Sequence, residues 1–388
     1  MPVRQVAPGD RVVLVDPSLF TAPYDACLSD GLADAGIDPL WVTRHLRPGE
    51  ADDLRGRSVR QLFYPLSDGA NRARGQRWRR LKGAEHLVGL IRLVALVRRV
   101  RPLAVHVQWG LIPRVDRLAI ARMRSTCPVV VTVHDVEPFN GKDVSPAQRS
   151  GFTAMLAAAD RLIVHTARGR QALIASGLDA DRIAVIPHGP LPVPASSAAV
   201  VARADRRWTI VQFGKIQAYK GVDLLVDALG MLPADVRARL RVIVAGEPQI
   251  DVAPLRQRAT ALGLDDVIDW RLAYLDDAAI GDLLHEADAF VFPYRTIEAS
   301  GAFLMVAGMG KWIVASDLGA FSEAIGHGGD AGALVPPGDV DALAAALAGS
   351  VDRHPTRGLG AAITDWPTIG RMTLDAYRQA RHQWCAKR

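Results

Sequence analysis

The 388-residue chain is 49% hydrophobic and 23% charged, a composition that excludes a disordered or fibrous protein and a length that suits two domains of roughly 150 to 200 residues. Its three cysteines, Cys27, Cys127 and Cys385, are far apart and show neither metal-ligand spacing nor a disulfide pattern, which points to a reducing compartment. The net charge of +6 is unevenly placed: residues 72–101 hold ten Arg or Lys and one acid, Glu85, for a local charge of +9, and with Trp78 as the one aromatic there to stack a base, an anionic membrane or substrate is the expected partner and nucleic acid is not.

In chain order, the amino terminus has a strand-length apolar run but no secretory h-region, so no export is expected. Short Val- and Ile-rich runs at 12–15, 40–43, 61–64, 104–108, 129–133, 162–165 and 183–186 alternate with helical stretches. Runs of this kind suit strands buried on both faces of a parallel sheet. Residues 16–25 read as the loop after the first strand. Within the basic region, Arg72, Arg74, Arg77, Arg79, Arg80 and Lys82 form a front with few apolar partners. It is expected to be exposed and to meet anionic lipid headgroups. Leu87, Leu90, Ile91, Val94 and Val97 follow at helical spacing and are expected to pack on the first sheet. The longest apolar window, 87–100, is broken by Arg92, Arg98 and Arg99, so no spanning helix is expected. The Pro-, Ala- and Ser-rich stretch 191–205 reads as an interdomain linker. The strand–helix rhythm resumes at 209–213, 241–245, 267–269, 289–292 and 312–316. The expected fold is therefore α/β, with two doubly wound Rossmann-like domains facing across a cleft: residues 1–190, then 206–370, then a terminal helix over 371–388.

Two turns of the second domain carry chemistry. In the first, residues 213–221, Gly214 permits a tight turn, and Lys215 and Lys220 place two ammonium groups at the carboxyl edge of the sheet. In the second, after the strand at 289–292, Ser300 stands where it can cap a helix, and Gly301 and Ala302 supply unpaired N–H groups at its start. Doubly wound sheets bring such turns to one place, and two lysines plus a helix start suit a diphosphate. Glu298 lies just ahead, placed to accept hydrogen bonds from hydroxyls of whatever the diphosphate carries.

These residues, together with PYRTIEASG at 293–301, GKWIVASDLGAFSE at 310–323, VVVTVHD at 129–135, IPHG at 186–189 and the tail at 366–377, resemble the bipartite GT-B-fold glycosyltransferases of the retaining family 4 type. The resemblance implies transfer of a sugar from a UDP- or GDP-sugar, held mainly by the second domain, to a lipid-linked or glycan acceptor held mainly by the first, such as a polyprenyl-linked glycan in envelope or exopolysaccharide synthesis. It assigns the diphosphate to Lys215 and Lys220, where arginine is usual at the first position, and places His134 near the transferred sugar. It also implies a terminal helix that crosses back to the first domain. The family's second glutamate, the ribose ligand, falls here at Met305, and its first at Ile297, one residue before Glu298. A base toward an acceptor hydroxyl, needed if configuration inverts, could be Asp25, Asp16 or Asp135. No metal or cofactor is expected, and the enzyme should be cytoplasmic and peripheral on the inner membrane face. The competing readings are a sugar-nucleotide epimerase or phosphorylase on the same fold and a non-catalytic partner subunit.

Overall fold

The computed structural model describes residues 11–68, 76–136, 150–196, 207–297, 300–326, 331–356, 358–360 and 363–388. Contacts divide the chain into two compact units, one of residues 1–189 with 364–388, the other of residues 190–363.

The first unit holds a seven-stranded sheet made of β1 (Arg11–Asp16), β2 (Asp38–Arg44), β3 (Ser58–Phe63), β4 (Ala104–Val107), β5 (Val129–Val133), β6 (Arg161–Val164) and β7 (Ile183–Val185). The spatial order is β3-β2-β1-β4-β5-β6-β7, and every pairing is parallel. The central strands β4 and β5 are buried along their whole length, as expected of a sheet covered by helices on both faces. At the edge, β3 starts at Ser58, earlier than its apolar run, because Ser58, Arg60 and Gln61 face solvent and break the hydrophobic signal. It stops before Tyr64, which turns to φ 52°.

The second unit holds β8 (Trp208–Phe213), β9 (Leu240–Ala245), β10 (Ile268–Arg271), β11 (Ala289–Phe292), β12 (Trp312–Ser316) and β13 (Gly332–Val335), ordered β10-β9-β8-β11-β12-β13 and again all parallel. Aliphatic side chains such as Leu225, Leu229 and Leu347 fill one side of this sheet, and an aromatic group around Phe292, Phe303 and Phe321 fills the other. The sequence reading missed β13. It is only four residues long and opens on Gly332, whose place would put a Cβ 2.5 Å from the Ile313 carbonyl.

The basic region departs from expectation. A helix runs through Gln76–Val100, so the described part of the front forms its first turns. Lys82 turns back to Asp68 at 3.2 Å and lies 4.5 Å from the Tyr64 ring centroid; Arg72 and Arg74 lie outside the described residues. Leu90, Leu93 and Val97 pack inward, but Leu87 and Ile91 are 50% and 62% exposed. The sheet takes the face that carries Gly89, where a Cβ would stand 2.3 Å from the Phe63 ring. Such close approach turns the neighbouring apolar residues outward.

The terminal helix, Trp366–Ala386, starts earlier than residue 371 because Asp365 caps it, accepting from the Thr368 N–H at 2.8 Å, with Pro367 in the first turn. It packs on the helix Ala22–Asp34 within the first unit. Glycines set the spacing: a Cβ on Gly370 would lie 1.9 Å from the Gly31 carbonyl oxygen, and one on Gly31 would lie 2.2 Å from the Trp366 carbonyl oxygen. Farther along, the Tyr377 hydroxyl meets His106 Nδ1 at 2.8 Å, and Trp384 Nε1 donates to the Arg124 carbonyl at 2.8 Å.

Gly370→Ala should therefore destabilise the first unit by on the order of 1–3 kcal/mol, since backbone must move to admit the methyl. Gly83→Ala, in an open position of a helix, should be neutral or stabilising by up to about 1 kcal/mol. Urea unfolding midpoints of the two variants check both signs.

Candidate functional site

In the second unit the two turns singled out from sequence are physically joined. After β8, Gly214 adopts φ 102°, and its carbonyl packs against Gly246, where a Cβ would come within 2.2 Å. A 3-10 turn, Ala218–Lys220, then leads into Gly221 at φ 66°, pressed so closely on the Pro293 carbonyl that a Cβ would stand 2.0 Å from its oxygen. Only glycine meets both demands. From the other side, Arg295 donates its backbone N–H to the Tyr219 carbonyl at 2.8 Å and its Nη1 to the Ala218 carbonyl at 3.1 Å, while its guanidinium grips Asp223 at 2.8 and 2.5 Å. The segment after β11 is thereby tied to the turn after β8.

This junction positions the charges. Lys220 is 8% exposed, and its Nζ lies 5.6 Å from the centroid of the buried Tyr294 ring, within cation–π range. The same Nζ sits 2.8 Å from where a Gly214 Cβ would be, and that point is 3.9 Å from the Ala302 Cβ. Gly214, Lys220 and Ala302 are thus neighbours. Burial, then the Lys215 charge, lowers the Lys220 pKa to about 8; both effects penalise the charged form of the amine. Ser300 is buried and caps the helix Gly301–Ala307, accepting from the Phe303 N–H at 3.4 Å. The first-turn amides of a helix have no partner within it. Glu298 lies outside the described residues. Met305 and Ile297 are half-buried against the aromatic core. Tyr294 and Arg295 were overlooked in the sequence because a tyrosine and an arginine beside a proline look like ordinary loop residues.

The first unit gathers a second cluster. His134 follows β5, and His165 follows β6. His165 Nδ1 donates to the Ile186 carbonyl at 3.0 Å, which leaves its Nε2 to accept from His134 Nδ1 at 3.1 Å. His134 Nε2 then faces the Gln108 side-chain amide at 3.1 Å, and a neutral ring requires that amide to present its NH2 group. Trp109 stacks on His134 with centroids 5.0 Å apart, and Tyr24, His188 and Trp366 complete an aromatic box. Burial lowers His165 to about 4 and His188 to about 3, and holds His134 well below the ordinary range. All three are neutral at physiological pH, and both nitrogens of His134 are engaged inside the unit. The quoted motifs contained His134 and His188, but nothing in the sequence joined them to His165 or Trp109.

Asp16 ends β1, and Asp25 lies in the first turn of the helix Ala22–Asp34 rather than on a loop. Both are fully buried. Asp16 accepts from the Ser18 N–H at 3.0 Å and the Thr21 N–H at 3.3 Å, and the Thr21 hydroxyl donates to Asp25 at 3.4 Å. Burial, then the Asp16 carboxylate, holds Asp25 well above the usual carboxylate range, and burial raises Asp16 as well. Asp135 follows His134 and is partly exposed. Among the described residues no group of three or more His, Cys, Asp or Glu side chains is placed to hold a metal ion.

Two Rossmann-like units, one carrying a cationic turn beside a capped helix start, are the architecture of nucleotide-sugar-dependent GT-B proteins. The model of the family "Glycosyltransferase Family 4" matches residues 26–189 and that of "Glycosyl transferases group 1" matches residues 207–352, and the chain belongs to the family 4-like GT-B glycosyltransferases. It is 29% identical over 181 residues to a GDP-mannose:glycolipid 4-beta-D-mannosyltransferase of Xanthomonas campestris, covering 44% of this chain and 48% of that one. It is 28% identical over 269 residues to D-inositol 3-phosphate glycosyltransferase 1 of Catenulispora acidiphila, covering 64% and 63%. These matches span about half to two thirds of the relatives' length. Among solved structures, HepE of Anabaena in complex with UDP and glucose superposes with a TM-score of 0.67 at 18% identity, over 95% of this chain and 99% of that one. No described helix is long and apolar enough to cross a membrane.

The Lys220 pKa sets a pH dependence. Lowered from its ordinary value to about 8, the group is cationic below that pH and neutral above it. Affinity for a nucleoside diphosphate should be full below pH about 8 and fall as pH rises through it, rather than holding to the ordinary lysine range near 10.4. Isothermal titration of UDP and GDP about one pH unit either side of that value checks the sign.

Proposed function

We propose that the chain moves a hexosyl group from a nucleoside-diphosphate sugar, bound by the second unit, to a hydroxyl of a glycolipid or glycan. The observation that carries this reading is the junction of the two turns: buried Lys220, with the Lys215 charge close enough to lower its pKa, stands beside the Ser300-capped helix start, at a spot Arg295 locks in place. Two cations and first-turn amides match a diphosphate in charge. Relatives named for mannosyl transfer to a glycolipid and in lipopolysaccharide core synthesis support the acceptor class.

In the step, the bond between the anomeric carbon and the diphosphate oxygen breaks with its electron pair going to phosphate, and the acceptor oxygen bonds to the anomeric carbon. The acceptor proton leaves to a base. Lys215, Lys220 and the first-turn amides stabilise the developing negative charge on the leaving group, which is where transition-state charge accumulates. Of the carboxylates considered as bases, Asp25 and Asp16 are fully buried and held toward the protonated form, while Asp135 is partly exposed beside His134. His134, with both nitrogens engaged, orients rather than relays, holding together the aromatic box of the first unit. Lys215 holds phosphate as a point charge, without the fork an arginine would supply.

Lys220→Ala should weaken binding of UDP- or GDP-sugars by about ten- to a hundredfold, and Ser300→Ala by a few-fold. Calorimetry against a panel of nucleoside-diphosphate sugars reads both effects and identifies the donor. Unchanged affinity in both variants contradicts the assignment.

A further inference from the structure

A cavity of about 200 Å³ lies in the first unit, between the β2–β3 crossover at 45–57, the strands β2 and β3 themselves and the start of the helix Ala22–Asp34. The crossover contains no helix or strand, and two arginines fix its course. Arg44, buried at the end of β2, donates Nη1 and Nη2 to Glu50 at 2.6 and 2.8 Å and Nε to the Ser18 carbonyl at 3.0 Å. Arg57 donates Nη2 to both carboxylate oxygens of Asp30 at 2.8 and 2.7 Å and Nη1 to the Asp53 carbonyl at 2.9 Å. The first set ties the crossover to the turn after β1, and the second ties it to the helix Ala22–Asp34. On that turn Leu19 adopts φ 50°, a left-handed conformation that a bulky side chain rarely takes, and its side chain forms part of the cavity wall.

Two kinds of surface meet here. Leu19, Ala22, Leu46 and Leu54 give the cavity apolar lining, and Asp52, Arg55 and Gln61 give it polar lining. These three polar side chains reach the cavity from exposed positions and, among the described residues, have no hydrogen-bond or ion-pair partner. Arg44 and Arg57 also line it, but both are already committed to carboxylates. An anion would find one uncommitted guanidinium and, in the same cavity, the Asp52 carboxylate; a cation would find the reverse. A neutral ligand rich in hydroxyls meets no such opposition. Each hydroxyl both donates and accepts, so it can give to Asp52 and to the Gln61 side-chain oxygen and take from Arg55 and the Gln61 amide. The C–H faces of a sugar ring suit the leucines, as in concave sites where apolar walls carry a few placed polar groups.

We propose that this cavity binds one neutral sugar ring, its hydroxyls on Asp52, Arg55 and Gln61 and its C–H surface on Leu19 and Leu54. The ring comes either from within a glycan chain or from a free monosaccharide, which offer the same chemistry. Only the first source rests on the glycan-acceptor reading.

Methyl-labelled full chain, titrated without any donor, tests the site by NMR. The ligands are the methyl glycosides of glucose, mannose and galactose, a glucose tetrasaccharide, and inorganic phosphate. At least one glycoside should shift the Leu46 and Leu54 methyl resonances saturably and leave those of Leu229 and Leu347, in the second unit, in place. Phosphate should shift neither pair. Arg55→Ala with Gln61→Ala, both at exposed positions, should lower glycoside affinity about tenfold with an unchanged unfolding midpoint, and Ala22→Phe, which fills the cavity, should abolish it. A tetrasaccharide that binds about tenfold tighter than the matching monosaccharide assigns the ring to a glycan chain; equal affinity assigns it to a free sugar. No shift with any glycoside, an equal response to phosphate, or wild-type affinity in the Arg55/Gln61 variant would each overturn the proposal. UDP titrated into the same sample reads the second unit separately: UDP binding without glycoside shifts contradicts the cavity alone, and glycoside shifts without binding of UDP or GDP contradict the diphosphate reading alone.

Discussion

Arg295 is the constraint on which the second unit's chemistry depends. Its guanidinium holds Asp223 and the Ala218 carbonyl, and its own N–H holds Tyr219, so the segment leaving β11 cannot move independently of the turn leaving β8. A half-exposed ion pair contributes little to stability by itself. Its bidentate geometry and accompanying backbone bonds instead fix registry between two loops, each of which alone would be an unremarkable surface turn. Gly221 against the Pro293 carbonyl supplies the matching steric constraint, since no side chain fits there.

The two units solve different electrostatic problems. In the second, a lysine is buried over a tyrosine ring, and burial together with the Lys215 charge lowers its pKa. In the first, the histidines bond to neighbours within the unit, while Asp25 keeps one buried carboxyl oxygen with no hydrogen-bond partner among the described residues. His134, His165 and His188 stay neutral, the first two in a hydrogen-bonded run that ends on a backbone carbonyl, and burial holds both Asp16 and Asp25 above the usual carboxylate range. One unit holds a buried cation beside a helix start. The other holds a polar interior whose hydrogen bonds are made within the unit.

Much of this was legible in the residues. Uninterrupted Val and Ile runs located twelve of the thirteen strands to within a few residues, because strands buried on both faces leave an unambiguous apolar signature. The exceptions were β13, too short and too glycine-rich to register, and the outer part of β3, whose edge residues face water. At the candidate site, Lys215, Lys220, Ser300 and Gly301 could be read from their strand-to-helix turns. Tyr294 and Arg295 could not, because their roles come from contacts with residues about seventy positions away. The helix at 76–100 shows the limit of periodicity most clearly. Spacing identified an apolar stripe wider than the sheet can cover, but only the approach of Gly89 to Phe63 determines which edge of that stripe is left in water.

The central claim is that the joined turns recognise a diphosphate as such, by charge, rather than a nucleoside by its base. The most direct measurement is calorimetric titration of matched nucleoside mono- and diphosphates, first into the wild-type chain and then into Arg295→Ala. A diphosphate preference of about tenfold or more, largely lost when Arg295 is removed although Lys215 and Lys220 remain, is the expected result. Equal affinity for mono- and diphosphate, or a preference that survives loss of Arg295, would contradict it.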